Sequence, residues 1–497
     1  MKVLLSVSHF GFLRVLENGL RELAQRGHAI HLLADRRDTL GGMTTVERLT
    51  TDFPSVFTFG YSPSPKGSRW HSLSLSLRLA LDYWRYLDPR YDAAPALRAR
   101  AARQAPHIAV HLGKWWPLRS RGRLVGLASL TRFLERSVPV SATAEAIISE
   151  HRPDVMMLTP LLYFGSQQVD YVRAGQRQGV PSILCVGSWD HLTTKGAVHE
   201  VPDLVTVWND AQRTEAYQFH GIPPARVRVT GAQAYDHWFT MTPRLSREQF
   251  LQQVGVPGVG EYLLYLCSSP FITPREVEFV QSWIVGLRRH HDPRLRDIGV
   301  LVRPHPQNAT QWEGVDFSGA GRVTLWPRHG ANPVDTDARA DYYHSMVYSL
   351  AVVGVNTSAQ IESGILGKPV FSIHAPEFSR TQEGTLHFQH LKSVNGGLLS
   401  LAATLPEHYQ QLQALLDAPA GERTRGREFV EAFVRPHGLA HPAAAFFADA
   451  IEEAGRLGHA PRLTPPLRSM ILKPLLLPIA FAVERARVRK SPPREVR

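Results

Sequence analysis

The residues of this chain best suited to chemistry sit at the ends of short apolar runs. The clearest group is Asn356, Thr357 and Ser358, which follows LAVVGV. That run holds no polar residue and is too short for an ordinary packed helix, so it reads as a strand buried on both faces of a parallel sheet. Asn, Thr and Ser are helix-starting residue types. Ile361, Ile365 and Leu366 follow at helical spacing, Gly367 closes the helix, and PVFSI reads as the next strand. Backbone N–H groups and two hydroxyls at the carboxyl end of a buried strand suit a phosphate, and Glu362 one turn on suits a ribose diol. The expected ligand is a nucleotide. The competing reading is plain capping by Ser358, with Glu362 on a solvated face.

Two further strand ends in the same half carry matching chemistry. EYLLYLCSSP ends in Ser268 and Ser269, and GVLVRPHP ends in Arg303 and His305. A guanidinium fork fits phosphate and an imidazole donates beside it, so the three ends converge on one diphosphate if their strands are neighbours. In the first half His9 follows KVLLSV, with Arg14 close behind, and GSWDHLTTKG places Asp190, His191 and Lys195 after PSILCV. At a sheet's carboxyl edge His9 or Asp190 is placed to take a proton from a hydroxyl, with Arg14, His191 and Lys195 on the acceptor side. Loop closure by His9 and capping by Asp190 are the alternatives. Asp335-Thr336-Asp337 has the form of a cation-binding DxD, but no strand precedes it and it reads as a helix cap. No metal and no cofactor is expected.

The elements that must position these groups alternate in type. KVLLSV, an amphipathic helix from Val15 to Gln25 closed by Gly27, and AIHLLA make one β-α-β unit. The loop between them, SHFGFLR, lacks the GxGxxG of dinucleotide binding. PDVMMLTP, PSILCVGSW, LVTVWN and RVRVTG continue the pattern, and a Pro/Gly-rich VGVPGVGEY introduces a second such series. The expected fold is α/β, two doubly wound domains facing a crevice. Their expected limits are 1–240, with a basic helical insertion at about 61–140, then 241–435, then helices and a basic amphipathic tail over 436–497.

Composition narrows the class. The chain has 497 residues, 43% of them hydrophobic, enough for two or three real cores. Its two cysteines, Cys185 and Cys267, lie in separate apolar runs and read as reduced core residues. With no secretory signal and no apolar run of spanning length, a cytoplasmic location is expected, and the Asn-X-Ser/Thr sequons at Asn308 and Asn356 lose their meaning. The net charge of +12 is concentrated: residues 61–140 carry 14 Lys/Arg against 4 Asp/Glu, and residues 461–497 carry 9 against 2. Trp70, Tyr83, Trp84, Tyr86, Trp115 and Trp116 are interleaved with the first set of arginines. Aromatic-basic segments of this kind suit an anionic membrane surface, as does the tail with its Pro-broken apolar run and flanking arginines. The alternatives are a helical subdomain with aromatic core and a tail helix docked on the first domain. No nucleic-acid motif is present.

The order of parts, with RPHP and then ADYYHSMVYSLAVVGVNTSAQIESGILGKPV late in the second domain, resembles glycosyltransferases of the GT-B fold over about residues 1–455. It is most similar to the surface-carbohydrate branch of capsule Kdo transferases, CDP-glycerol glycerophosphotransferases and bacterial sialyltransferases. The resemblance implies donor phosphates on His305, Thr357 and Ser358, the ribose on Glu362, and catalysis without a metal. The paired-acid-then-Gly motif that supplies the base in the sialyltransferases is absent here, so the resemblance names no base. It also implies the partners: a nucleotide-sugar donor and a hydroxyl acceptor, glycan or glycolipid. A nucleotide-sugar 2-epimerase of the same fold and a non-catalytic nucleotide-sugar-binding protein are the other functions compatible with these residues.

Overall fold

A computed structural model describes residues 1–38, 41–63, 68–115, 121–256, 260–333, 335–419, 426–458, 460–461 and 467–490. Trp116, the turn at 257–259 and the tail residues 462–466 and 491–497, all used in the sequence reading, lie outside them. The chain forms two compact units, 1–230 with 444–497, and 231–443. Both are doubly wound parallel sheets, the two-domain Rossmann-like arrangement of the GT-B fold.

The first sheet contains β1 (Lys2–Val7), β2 (Ala29–Ala34), β3 (Phe57–Tyr61), β4 (Val155–Thr159), β5 (Ser182–Cys185), β6 (Leu204–Val207) and β7 (Val227–Val229), in the order β3-β2-β1-β4-β5-β6-β7. Winding reverses between β1 and β4, and at such a switch point the loops diverge and leave a crevice. β1 and β4 are buried along almost their whole length, which is why they read as unbroken apolar runs. The helix Glu17–Gln25 buries Leu20, Leu23 and Ala24 against them. The chain then turns at Gly27, whose φ of +79° favours glycine, and re-enters as β2. The last helix of the main body, Ala443–Arg456, seals the same core with Phe447, Ala448 and Ile451.

Between β3 and β4 lies the helical insertion: Arg69–Arg85, Pro95–Gln104, His107–Lys114 and Arg121–Ser137. Tyr83, Trp84 and Tyr86 are buried, so these aromatics form core, while Trp115 is 57% exposed. A charged network ties the insertion to the sheet layer. The guanidinium of Arg78, 1% exposed, donates to Glu135 (2.7 Å), to the carbonyl of Ser166 (2.8 Å) and to Asp170 (2.6 Å), and Arg173 also pairs with Glu135. The tail helix Leu467–Lys490 docks here, with Leu476 and Ala480 buried beside Leu73 and Val138.

The second sheet contains β8 (Tyr262–Leu266), β9 (Gly299–Arg303), β10 (Val323–Leu325), β11 (Ala351–Val353), β12 (Val370–Ile373) and β13 (Leu399–Ala402), in the order β10-β9-β8-β11-β12-β13. Its switch point is between β8 and β11. Segment 231–240, expected to close the first domain, belongs to this unit. Ala232 N–H donates to the Val434 carbonyl (2.8 Å), Asp236 accepts from Arg435 (2.6 and 3.0 Å) and from Ala443 N–H (3.0 Å), and Trp238 packs on Tyr342 and Tyr343. The boundary at 435 shifts as well: 436–443 stay with the second unit and 444–497 return to the first.

Candidate functional site

At the second switch point the three strand ends singled out in the sequence are neighbours. β8, β9 and β11 are adjacent, so Ser268, Arg303 and Asn356 leave one sheet edge together. Asn356 N–H donates to the Ser268 hydroxyl across the switch point (3.3 Å), and the Asn356 amide donates to Thr385 (3.1 Å). Gly354 permits this approach, since a Cβ there would lie 2.9 Å from the Leu266 carbonyl. Ser268 is wholly buried and holds the loop; its neighbour Ser269 is half-buried.

The turn itself is not a capped helix start of the expected kind. Ser358 is exposed, has helical φ/ψ, and its side chain makes no capping bond. Thr357 takes that part, its hydroxyl accepting from Ala359 N–H at 3.4 Å, while Thr357 N–H donates to Gln360 (3.2 Å). Glu362 accepts a 2.6 Å hydrogen bond from the Tyr342 hydroxyl, which burial and the Glu362 charge hold well above its usual pKa.

Arg303 is drawn into the protein. It is 5% exposed, pairs with Asp341 (2.8 Å), donates to Ser345 (3.2 Å) and lies over the Tyr342 ring (5.0 Å). An open fork for phosphate, the sequence expectation, is therefore replaced by a cation fixed behind Tyr342. His305 stands at the start of the turn Pro306–Trp312, its Nδ1 accepting from Gln307 N–H (3.2 Å). Asp335 caps the helix Thr336–Val347, accepting from Asp337 N–H (3.0 Å) and Ala338 N–H (2.8 Å).

At the first switch point the sequence candidates separate. Asp190 accepts from Ser188 (2.5 Å) and Thr194 (2.8 Å) and pairs with Lys195 (3.3 Å), so its carboxylate organises its own loop. His191 is buried and its pKa falls to about 4 through burial. His9 follows β1 with Nδ1 3.2 Å from Asp38; burial lowers its pKa against the pull of that carboxylate. Arg14 is exposed at the end of the turn Phe10–Val15.

The open space lies one residue past β2. A cavity of about 460 Å³ is lined by Ser8 after β1, Asp35 and Arg36 after β2, Tyr163 after β4, Arg100 of the helical insertion, and Lys195. Asp35 and Arg36 were missed in the sequence. Their signal, an acid and a base directly after AIHLLA, is also that of an ordinary turn.

No protein family's model matches the sequence, and no curated protein matches it. Solved structures do match in fold. UDP-GlcNAc 2-epimerase from Methanocaldococcus jannaschii is 10% identical with a TM-score of 0.51, over 91% of this chain and 99% of that one. The Neisseria meningitidis UDP-GlcNAc 2-epimerase bound to UDP-GlcNAc is 12% identical with a TM-score of 0.49, over 91% and 100%. A glycosyltransferase from Rickettsia africae is 10% identical with a TM-score of 0.45, over 99% of each chain. At these identities the likeness is one of fold: this chain has the GT-B architecture.

Proposed function

We propose that this chain is a glycosyltransferase that moves a sugar from a nucleotide-activated donor to a hydroxyl acceptor in surface polysaccharide or glycolipid assembly. The observation that carries the reading is the Asn356–Ser358 turn, held rigid across the second switch point by Ser268 and Thr385, with Ser358 exposed at its rim. In this reading Ser269, Thr357, Ser358 and His305 contact the donor phosphates and Glu362 the ribose. Arg303 acts through its field from behind Tyr342. The first unit takes the acceptor.

A thermal-shift panel of UDP, GDP, CDP, CMP and dTDP tests the donor site. A ligand at 100 times its dissociation constant adds about 2.7 kcal/mol of stability. One nucleotide is expected to raise Tm in the wild type and not in Glu362→Ala; no shift with any of the five defeats the proposal. A nucleotide-sugar 2-epimerase is the second reading, favoured by the fold match at a TM-score of 0.51. It converts its substrate with no acceptor present, so acceptor-independent isomerisation of a nucleotide sugar decides for it.

The tail helix supports a membrane-peripheral site of action. Ser469, Leu476 and Ala480 bury one face, yet Leu467, Met470, Ile471 and Leu475 around the rest of the helix, and Ile479 at its flank, are each more than half exposed. Val125 and Leu130 of the helix beneath are exposed too, and this layer carries the excess of basic residues. Among the described residues no helix is long and apolar enough to cross a membrane. The occupant that complements an apolar, basic face is an anionic lipid surface. Co-sedimentation with phosphatidylglycerol vesicles, absent with phosphatidylcholine and lost in Leu475→Asp/Ile479→Asp, is expected. Self-association lost in that variant, without vesicle binding, assigns the face to a second copy instead.

A further inference from the structure

The cavity at the first switch point combines features that no donor-site argument uses. Its lining holds three cations, Arg36, Arg100 and Lys195, against one carboxylate, Asp35. Lys195 is paired with Asp190 and Arg100 donates to the Thr194 carbonyl, whereas Arg36 makes no hydrogen bond or ion pair among the described residues. Asp35 accepts none there either; its backbone N–H alone is bonded, to the Val7 carbonyl. The hydroxyl of Ser8, 8% exposed, faces the Tyr163 hydroxyl across the same lining. A volume of about 460 Å³ falls within the ~300–1,000 Å³ of small-molecule sites.

We propose that this cavity binds an acceptor carrying both a hydroxyl and an anionic group, phosphate or carboxylate, and that Asp35 takes the proton of that hydroxyl. The binding half stands on the cavity alone; the proton-transfer half rests on the transferase reading. Arg36, with Arg100 and Lys195 around it, is the counterion for the anionic group, and Ser8 and Tyr163 supply hydroxyls to the rest of the molecule. In the transfer, the acceptor's proton passes to the Asp35 carboxylate. The freed oxygen bonds to the anomeric carbon of the donor sugar, and the bond from that carbon to the donor phosphate breaks with its electron pair on the nucleotide.

The electrostatics suit a base at neutral pH. Burial, with Asp170 beside it, pushes Asp35 up to about 7 against the pull of Arg36. The groups facing it are Arg36 on its own loop, Asp170 and Tyr171 from the helix Val169–Gln178, Tyr163 from the loop after β4, and Arg100 and Lys195 across the cavity. Asp170 is itself held by Arg78, so the buried network that anchors the insertion also sets the charge beside Asp35.

Two arms test this. In the first, glucose 1-phosphate and glucose are titrated calorimetrically into the full chain. The phosphate is expected to bind at least about tenfold more tightly, with that advantage lost in Arg36→Ala and kept in Thr357→Ala/Ser358→Ala. Equal binding of the two sugars, or loss in the Thr357/Ser358 variant instead, overturns the site. In the second arm Asp35→Asn is expected to lower kcat about 10²- to 10⁴-fold while the nucleotide-induced thermal shift persists, and wild-type kcat/KM to rise with pH through about 7. Loss with His9→Gln but not with Asp35→Asn gives the proton to His9 and overturns the assignment. A wild type that shifts with no nucleotide defeats the transferase reading and, with it, the proton-transfer half. An unchanged Asp35→Asn in an enzyme that binds nucleotide defeats only this inference. A readout free of activity accompanies it: with Asp35 ionised against its burial, Asp35→Asn raises Tm at pH 8 and the gain shrinks toward pH 5.

Discussion

The two switch points differ in what their side chains are bonded to. At the second, Arg303 is taken up by Asp341 and Ser345, Asn356 by Ser268 and Thr385, and Glu362 receives Tyr342. At the first, Gln168 bridges β1 and β4 by donating to the Ser6 and Thr159 carbonyls (2.8 and 2.9 Å), but beyond it Asp35 and Arg36 face a cavity with no side-chain hydrogen bond among the described residues. An interlocked edge has one shape and suits the invariant part of a ligand, whereas an open edge leaves its groups able to exchange protons and counterions. The same topology thus yields a hydrogen-bonded strand edge in one unit and a charged cavity in the other. The buried carboxylates behind them repeat the contrast. Glu135, behind the cavity, is wholly buried between Arg78 and Arg173 and is held down at about 2 by those cations despite its burial. Glu276, behind the strand edge, has hydrogen-bond donors in Ser268, Thr273 and Tyr265, and burial pushes it up to about 8.

The largest effect expected from breaking this comparison is at Arg78. Arg78→Met leaves Glu135 with one of its two cations and Asp170 without a buried partner, which costs about 3–5 kcal/mol. Urea unfolding measures it, and a loss below about 1 kcal/mol would show that the insertion is held by its apolar core instead. Arg303→Met is milder, because Asp341 keeps hydrogen bonds from Trp326 (2.9 Å) and Gln253 (3.2 Å). About 1–3 kcal/mol of stability is expected to go, with a roughly tenfold weaker nucleotide affinity by calorimetry. Affinity unchanged beside lost stability would restrict Arg303 to a structural role.

The two carboxylates behave oppositely with pH. Glu135 is depressed from 4.5 to about 2, so its stabilisation is complete above pH 4.5 and is lost as pH falls toward 2. Glu276 is raised from 4.5 to about 8, so its contribution is complete below pH 4.5 and is lost as pH rises toward 8. Relative to Glu276→Gln, wild-type Tm should therefore fall between pH 5 and pH 8. A constant difference over that interval would mean that the donors around Glu276 keep it ionised throughout.

Residues 350–373 were legible because a strand buried on both faces reads as an unbroken apolar run, and such a run must end in a turn at the sheet edge. β11, the helix Ala359–Ile365 and β12 follow in that order. Arg303 was legible as a cation at a strand end, but its partner Asp341 lies 38 positions on in a helix whose register no local pattern fixes. Asp35 was not legible. A single Asp after a strand is common turn chemistry, and the cavity that distinguishes it needs Arg100, brought from a helix in the insertion. The tail was half legible: its apolar and basic residues announced an interface, while only packing shows that one face docks on Leu73 and Val138 and the rest stays open.

The smallest expected stability effect is the most discriminating for the second switch point. A Ser that caps a helix costs about 1 kcal/mol when replaced by Ala. Ser358 stands at the N-cap position but makes no capping bond and is exposed, so Ser358→Ala should change stability by less than about 0.5 kcal/mol. If the hydroxyl instead meets a donor phosphate, the same variant weakens nucleotide binding. Unfolding and calorimetry on one protein then separate the two roles. Stability lost with affinity intact returns Ser358 to capping, and affinity lost with stability intact puts its hydroxyl on the ligand, which is the outcome that the free rim of an otherwise interlocked edge requires.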